Sequence, residues 1–194
     1  VSSPCTACHA PCCREAHVVL SGSEALRIAA STGLPLPDFL ALPFRDAPEA
    51  DFRIILGEKE PSSWRYHRLQ LRREPTPSES HAQRCLFLQG EPGAIRCGIY
   101  PVRPRACIAF PYQEQGESVR RSRLARVWCP PGAWVKDEVD VPAHRLLRRE
   151  QASDRAHYDA VIDRWNDAAK TTELPPTTER FWLHLAAHYP PTVF

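Results

Sequence analysis

The feature that most constrains this chain is a cysteine run near its start, C-T-A-C-H-A-P-C-C, which contains Cys5, Cys8, Cys12 and Cys13. Two cysteines separated by two residues can turn both sulfurs toward one metal ion, and the adjacent pair adds two more soft ligands. The run is therefore typical of a metal site.

A second group of four cysteines lies in one later stretch of the chain: Cys85, Cys97, Cys107 and Cys129. Eight thiolates suit two four-thiolate sites, or one iron–sulfur cluster with spare thiols. The sequence predicts a fold that brings the two groups together, with all eight cysteines as candidate ligands of one site or of two adjacent sites.

A disulfide framework is the main alternative, because an even number of cysteines often forms bridges in secreted chains. The adjacent residues Cys12 and Cys13 cannot readily bridge each other, and CxxC is the usual spacing of metal ligands. Nothing in the sequence indicates an oxidising compartment. Metal binding is therefore favoured over disulfides.

The bulk composition is that of a soluble globular chain. Of 194 residues, 43% are hydrophobic and 25% are charged, which fits one domain with an appendage. Twenty prolines against eight glycines favour rigid, irregular connections. No stretch approaches about 18 consecutive apolar residues, and no export signal is visible, so we expect no membrane span and a cytoplasmic location.

The first half of the chain contains signals for several short elements. Ser21 and Glu24 form a capping box that opens a helix, and Gly33 ends it. A shorter helix is predicted over residues 37–42. Extended strands are predicted over residues 52–56 and 64–73.

The middle of the chain is predicted to present the second cysteine group. A polar loop is expected over residues 74–81, followed by a hairpin of residues 85–88 and 94–97 that sets Cys85 and Cys97 at its open end. Pro104 predicts a helical first turn, with Cys107 one turn later. Residues 120–126 are predicted to form a basic, exposed loop.

The last third has a helical pattern. Pro142 opens a helix that runs to about Lys170, with a break near residues 152 and 153, and Thr178 caps a final helix. We therefore expect an α+β fold: a small antiparallel sheet with irregular cysteine-bearing loops, and a helical C-terminal third. The predicted domains are 1–140 for metal binding and 141–194 for a helical extension on the same core.

Arginines surround the second cysteine group. Eight of them against three glutamates between residues 84 and 126 give a local charge of +5, which would offset thiolate charge and lower thiol pKa values. Arg103 and Arg105 flank Pro104 and are candidates to orient the cysteine loops, with Tyr100 beside them; these three are the predicted cofactor-binding residues. Solvated surface charges and a core tyrosine are the alternatives.

The overall charge of +2 and the lack of aromatics among the arginines of residues 120–126 make nucleic acid an unlikely partner.

Four ordered pieces of the chain resemble one known family. They are C-T-A-C-H-A-P-C-C at residues 5–13, S-G-S-E-A-L-R-I-A-A at 21–30, C-L-F-L at 85–88 and R-C-G-I-Y-P-V-R-P-R-A-C-I-A-F-P at 96–111. Together they resemble the CxxCxxxCC, or YkgJ-like, family of zinc- or iron-chelating domains, over roughly residues 5–130. Where the family often has glycine between the second and third cysteines, this chain has His9, Ala10 and Pro11, so His9 is a further candidate ligand.

The resemblance implies bound iron or zinc. The first interpretation is a metal-cluster protein, iron–sulfur ahead of zinc, with a redox, catalytic or metal-handling role; an interaction with another protein is open. The second is a structural zinc-stapled interaction module. The cysteine pattern is also similar to that of flagellin lysine methylases, which implies an S-adenosylmethionine-dependent enzyme, but no glycine-rich nucleotide turn is present. Whether the chain is an enzyme stays open, and no catalytic residue is identified.

Overall fold

A computed structural model describes residues 10–76, 79–90, 95–129 and 139–189 of the chain. Within these ranges the α-helices are α1 (Pro11–Glu15), α2 (Gly22–Thr32), α3 (Leu36–Phe39), α4 (Arg105–Ala109), α5 (Arg123–Trp128), α6 (Val141–Thr171) and α7 (Thr178–His188). The strands are β1 (Leu40–Ala41), β2 (Phe44–Arg45), β3 (Ile54–Leu56), β4 (Arg65–His67), β5 (Gln70–Leu71), β6 (Arg73–Thr76), β7 (Glu79–Cys85), β8 (Leu88–Gln89), β9 (Arg96–Cys97), β10 (Tyr112–Gln115) and β11 (Ser118–Arg121). The strand pairs are all antiparallel. The predicted α+β class is confirmed.

The chain divides into two compact units. We call residues 1–18 and 73–152 the cysteine unit, because it contains all eight cysteines, and residues 19–72 and 153–194 the core unit. Residues 141–152 of α6 belong to the cysteine unit, and the rest of that helix belongs to the core unit. Whether residues 1–140 alone form the metal-binding domain stays a prediction.

The core unit packs helices and short strands around large apolar side chains. The capping box of α2 is present as predicted: the Ser21 side chain accepts from the Glu24 backbone N–H, and the Glu24 carboxylate accepts from the Ser21 backbone N–H. Gly33 ends the helix in the left-handed conformation, at φ 71°. The largest fully buried side chains of this unit, Pro176 aside, are Phe39, Phe181, Leu20, Ile28, Ile54, Leu69, Ile162, Leu185 and Val161.

Two hydrogen bonds fix α6 within the core unit. The Trp165 Nε1–H donates to the Ile55 carbonyl at 2.8 Å, and the Asn166 side chain accepts from the Ile55 backbone N–H at 3.0 Å. Both bonds place β3 against the helix through buried or partly buried polar groups. Each group thus finds a partner away from water, as a buried polar group requires.

The cysteine unit is built from three separate two-stranded ladders and short helices. β6 pairs with β7, β8 with β9, and β10 with β11. The described residues of this unit bury fewer apolar side chains: Ala10, Phe87, Leu88, Ile95, Ile99, Ala109, Val119 and Ala125. Pro104 and Pro111 are its largest fully buried side chains.

Several local predictions are corrected. The polar loop predicted over residues 74–81 is wrong where the structure describes it, because β6 and β7 pair with Glu74 opposite Arg84. The basic loop predicted over residues 120–126 is also wrong: it contains the end of β11 and most of α5, whose N-terminus is capped by Ser122. A run of arginines signalled exposure but carried no information about strand pairing.

Two further predictions are corrected in part. The hairpin between the second-group cysteines exists, but it pairs Leu88 with Cys97, while Cys85 ends β7 and pairs with Arg73 instead. The predicted break near residues 152 and 153 is absent, since α6 is continuous from Val141 to Thr171. The final helix is capped by Thr177 and not, as predicted, by Thr178, which is its first residue. None of the described helices is both long enough and apolar enough to cross a bilayer.

Candidate metal centre

Helix α1 presents the adjacent cysteine pair. Its N-cap, Ala10, lies in the left-handed region at φ 51°, and Pro11 follows as the first helical residue. Proline suits this position because its fixed φ is helical and its missing N–H would lack a partner anyway. The Cys13 backbone N–H then donates to the Ala10 carbonyl at 3.0 Å. One short turn therefore holds both thiols.

The pair is anchored by a small apolar cluster. Ala10, Leu88 and Ile95 are buried together, and Cys13 packs against them. Since Leu88 lies in β8 opposite Cys97 in β9, this cluster joins the α1 turn to the hairpin that carries Cys97. The first and second cysteine groups are thus brought together through direct packing.

Arg73 fixes α1 beside the strand that carries Cys85. Its guanidinium donates to the carbonyl oxygen of Ala16 at 2.8 Å and to that of Arg14, both at the C-terminal end of α1. It also donates to the carbonyl oxygen of Gln83 in β7. Arg73 itself lies in β6, directly opposite Cys85. A single side chain therefore ties the helix of the first cysteine group to the strand that ends in Cys85.

Cys107 reaches the same neighbourhood from a different element. It lies in α4, where its backbone N–H donates to the Pro104 carbonyl at 2.9 Å. The preceding segment, Tyr100–Val102, is a single 3-10 turn, so the chain approaches α4 through a compact, proline-directed bend. The predicted helical turn around Pro104 is confirmed.

Five thiols from these elements act on one another electrostatically. The negative charges of Cys12, Cys85 and Cys107 raise the pKa of Cys13. Those of Cys12 and Cys97 raise the pKa values of Cys85 and Cys107. These five thiols therefore lie in one electrostatic neighbourhood. That the two cysteine groups bind a metal jointly stays a prediction. No disulfide joins any two of the six described cysteines.

The five thiols do not ionise equally. A hydrogen bond with the Cys13 side chain lowers the pKa of Cys12 to about 7, and the same bond raises the pKa of Cys13. Burial is the main cause that raises the pKa values of Cys85 and Cys107. Cys12 thus ionises before Cys13, Cys85 and Cys107, and its thiolate is stabilised by the neighbouring Cys13.

Positive charge partly offsets this burial. The Arg73 guanidinium lowers the pKa of Cys85, and the Arg103 guanidinium lowers the pKa values of Cys12 and Cys107. The Phe87 backbone N–H also donates toward Cys85 and lowers its pKa. These groups favour the thiolate, which is the form of cysteine that binds metal.

The structure also places the three predicted cofactor-binding residues. The Arg103 guanidinium lies over the Tyr100 ring, with Cζ 3.9 Å from the ring centroid, and the Tyr100 side chain is 41% exposed. Arg105 faces Glu150 instead, with Nε 3.9 Å from Oε2. The charge of Arg103 therefore acts on the thiols, while Arg105 pairs with Glu150.

Some predicted site residues are not among the five interacting thiols and their arginines. Cys5, Cys8 and His9 lie outside the residues that the structure describes. Cys129 follows α5, is partly buried, and donates its backbone N–H to the Ala125 carbonyl at 3.0 Å. Among the described residues, no three His, Cys, Asp or Glu side chains form a ready site for a single ion. Ligation by all eight cysteines stays a prediction.

The donor set fits a metal ion or cluster. Thiols are soft ligands suited to zinc and to iron–sulfur clusters. Burial and, after it, mutual repulsion between thiolates raise the pKa values of Cys85 and Cys107, and a bound cation would relieve that repulsion. The nearby Arg73 and Arg103 would stabilise the remaining negative charge.

Sequence reasoning missed two residues of this site. Arg73 fell inside a predicted strand with no role assigned, because its importance depends on the pairing of β6 with β7, which begins at Glu79. Ala10 was identified only as a departure from glycine. Its left-handed backbone is the conformation that glycine adopts without strain, so the family's usual glycine was the available signal.

One comparison with known proteins identifies a family. A family model labelled CxxCxxCC and described as "Putative zinc- or iron-chelating domain" matches residues 4–130, a span that contains all eight cysteines. No curated protein and no solved structure matches the chain.

Proposed function

The chain belongs to the CxxCxxCC family of zinc- or iron-chelating domains, and from that premise we propose that its cysteine unit holds an iron–sulfur cluster. The proposed ligands are drawn from the cysteines that the fold gathers and from the two that precede them: Cys12, Cys13, Cys85, Cys97, Cys107, Cys5 and Cys8. A metal-binding role, with zinc or iron as the metal, follows from the family itself.

The observation that carries the proposal is the gathering of five thiols from four elements. Cys12 and Cys13 come from α1, Cys85 from β7, Cys97 from β9 and Cys107 from α4. A closed zinc site and an iron–sulfur cluster each use four cysteine ligands, so five thiols in one neighbourhood supply either set and leave a spare thiol. We place the cluster ahead of zinc because a spare thiol beside it suits redox or exchange chemistry.

The residues around the thiols have definable tasks. Arg73 positions α1 and β7 relative to each other, and Arg103 contributes positive charge from the Tyr100 side. When bound, an iron–sulfur cluster supplies one-electron transfer, with a potential set by net charge, hydrogen bonds to sulfur and exposure. The two arginines and the Phe87 N–H near Cys85 are groups of that kind. The proposed role is therefore redox chemistry, catalysis beside the cluster, or metal handling.

Metal analysis of anaerobically purified protein tests this proposal. We expect iron and acid-labile sulfide together, with a brown colour that bleaches on reduction. Zinc without iron, in colourless protein, would overturn the cluster and favour the structural zinc module.

Cysteine variants then test the ligand set. Cys85→Ser and Cys107→Ser should each lower the metal content, and the Cys85→Ser/Cys107→Ser double variant, which leaves three of the five thiols, should remove most of the metal. Ala106→Ser is the matched control, because it introduces the same side chain at an exposed position beside Cys107. Full metal content in the double variant would show that Cys85 and Cys107 are not ligands of the site.

A further inference from the structure

Two histidines one turn apart on α7 form a pair in the core unit that the cysteine centre does not use. His184 and His188 are both partly buried, and their ring centroids are 4.2 Å apart with the planes tilted by 41°. Residues at i and i+4 share one face of a helix. Their rings are therefore neighbours by the geometry of the helix.

The hydrogen bonds of each ring fix which nitrogen carries the proton. His184 Nε2 lies 3.0 Å from the Val161 carbonyl oxygen, and His188 Nδ1 lies 2.8 Å from the His184 carbonyl oxygen. A carbonyl oxygen only accepts, so the nitrogen that faces it must donate. In the neutral rings, His184 Nδ1 and His188 Nε2 therefore keep a lone pair each.

This arrangement is the one that metal-binding histidines use. Such a histidine donates its other ring N–H to a carbonyl or carboxylate, which fixes the tautomer and the orientation of the ring. Here both rings have that support, and no described residue is a hydrogen-bond partner of either remaining nitrogen. Both histidines are only partly buried, so each keeps some contact with solvent.

We propose that His184 and His188 form a second metal site, which chelates one divalent transition ion of the imidazole-binding class, such as Zn²⁺, Ni²⁺ or Cu²⁺. Imidazole suits these ions. The two rings supply two coordination positions, and water completes the rest.

The surroundings make this a binding site and not a hydrolytic one. In helices of the H-E-x-x-H type, the glutamate after the first histidine is the general base. Here that position is Leu185, which is fully buried. Arg164 on α6 acts on His184, as His188 does, and its positive charge opposes a cation, which places the expected affinity below that of a closed four-ligand site.

A nickel titration of the metal-loaded protein in a non-thiol reductant tests the site. Filling the cysteine centre first keeps its thiols from competing for Ni²⁺. Trp165 provides a local signal, because its ring centroid lies 5.4 Å from that of His184 and a bound Ni²⁺ should quench its fluorescence. Calorimetry gives the stoichiometry, for which we expect one Ni²⁺ per chain beyond the cysteine-bound metal.

Two variants and a control decide the outcome. His188→Gln and His184→Gln should each weaken Ni²⁺ binding at least about tenfold, since even loss of a residue that only orients a ligand costs that much. His157→Gln is the matched control, an exposed histidine whose ring packs on Tyr189 in the same unit, and it should bind Ni²⁺ like the wild type. If His184→Gln disturbs folding through its lost bond to Val161, His188→Gln decides alone, because its bond stays within α7.

Equal Ni²⁺ affinity in wild type and in the His184→Gln/His188→Gln double variant would overturn the proposal. So would an equal loss in His157→Gln. Metal content of the cysteine centre, measured on the same samples, separates this result from the fate of the iron–sulfur proposal.

Discussion

The cysteine unit and the core unit bury different kinds of side chain. In the core unit, phenylalanine, leucine, isoleucine and valine fill the interior of helices and strands, with Phe181 and Ile28 among the fully buried residues. In the described part of the cysteine unit, the largest fully buried side chains are prolines, and five partly buried thiols act on one another electrostatically. Burial of large apolar side chains stabilises a fold by itself, whereas thiols that repel as thiolates stabilise one only with a cation. The comparison teaches that the two units should depend on different chemistry.

Removal of the metal should have the largest effect, and it should fall on one unit. Structural metal sites in small zinc peptides contribute about 10–16 kcal/mol of folding free energy. We expect a strong chelator to abolish hydrogen-exchange protection in β7, β9 and α4 while α2 and α7 keep theirs. Mass spectrometry of amide exchange, with and without chelator, measures this. Equal loss of protection in both units would break the comparison.

Truncation of an apolar side chain should destabilise the core unit and leave the metal content of the cysteine unit unchanged. Phe181 is fully buried and its ring packs on Trp165 at 5.4 Å between centroids, so Phe181→Ala should lower the free energy of unfolding by about 3–5 kcal/mol. Metal content per folded molecule should not change. Leu183→Ala, on the same helix but 72% exposed, is the control and should have little effect on stability. A loss of bound metal in folded Phe181→Ala protein would contradict the separation of roles.

Substitution of Arg73 tests how the cysteine unit is stabilised without a large apolar core. Arg73→Gln removes the bonds to the carbonyls of α1 and β7, so we expect metal retention against a competing chelator to fall by about 10- to 100-fold. Arg84→Gln is the matched control. Its guanidinium pairs with Glu74 at 2.9 Å across the same two strands, and its loss should leave metal retention within about twofold of wild type. A similar loss of metal retention in both variants would show that Arg73 has no special role beyond the pairing of β6 with β7.

A buried tyrosine gives the smallest effect and a pH signature for the core unit. Burial raises the pKa of Tyr158 above its usual value of 10, and its hydroxyl has no hydrogen-bond partner among the described residues. The native state therefore keeps this proton while the unfolded state releases it above pH 10, so stability falls as the pH rises past 10.

Tyr158→Phe should remove part of that alkaline loss. At neutral pH the variant should be about 1 kcal/mol more stable, since it removes a buried hydroxyl without a partner. Urea unfolding at neutral and alkaline pH measures both effects. A steeper alkaline loss in the variant, or clear destabilisation at neutral pH, would contradict the burial argument.

Local signals were sufficient for the helices and for the identity of the cysteine groups. The capping box at Ser21 and Glu24, the left-handed stop at Gly33 and the helical pattern opened by Pro142 all depend on residues within a few positions of one another. The same holds for the turn at Pro104 that presents Cys107. Such features are written in the sequence because the interactions that form them are short-range.

Strand pairing was less accessible from the sequence. The chain paired Cys85 with Arg73 and not with the hairpin of Cys97, and it made strands of residues that composition marked as a polar loop. Alternation and polarity describe one strand at a time, whereas pairing depends on which edge a distant segment can reach. The role of Arg73 could not be predicted for the same reason, because its hydrogen bonds form only when β6, β7 and α1 are neighbours in the fold.

The sequence by itself determined that this chain is a metal-binding protein of mixed α and β structure, because thiol spacing and helix signals are local. Only the tertiary structure decided which thiols meet, that Cys12 ionises before Cys13, and that Arg103 acts on the thiols while Arg105 turns to Glu150. It also decided the tautomers of His184 and His188, since a carbonyl on another helix holds one of those rings. Ionisation and ligand geometry depend on burial and on charges from distant segments, and no single segment of the sequence contains that information.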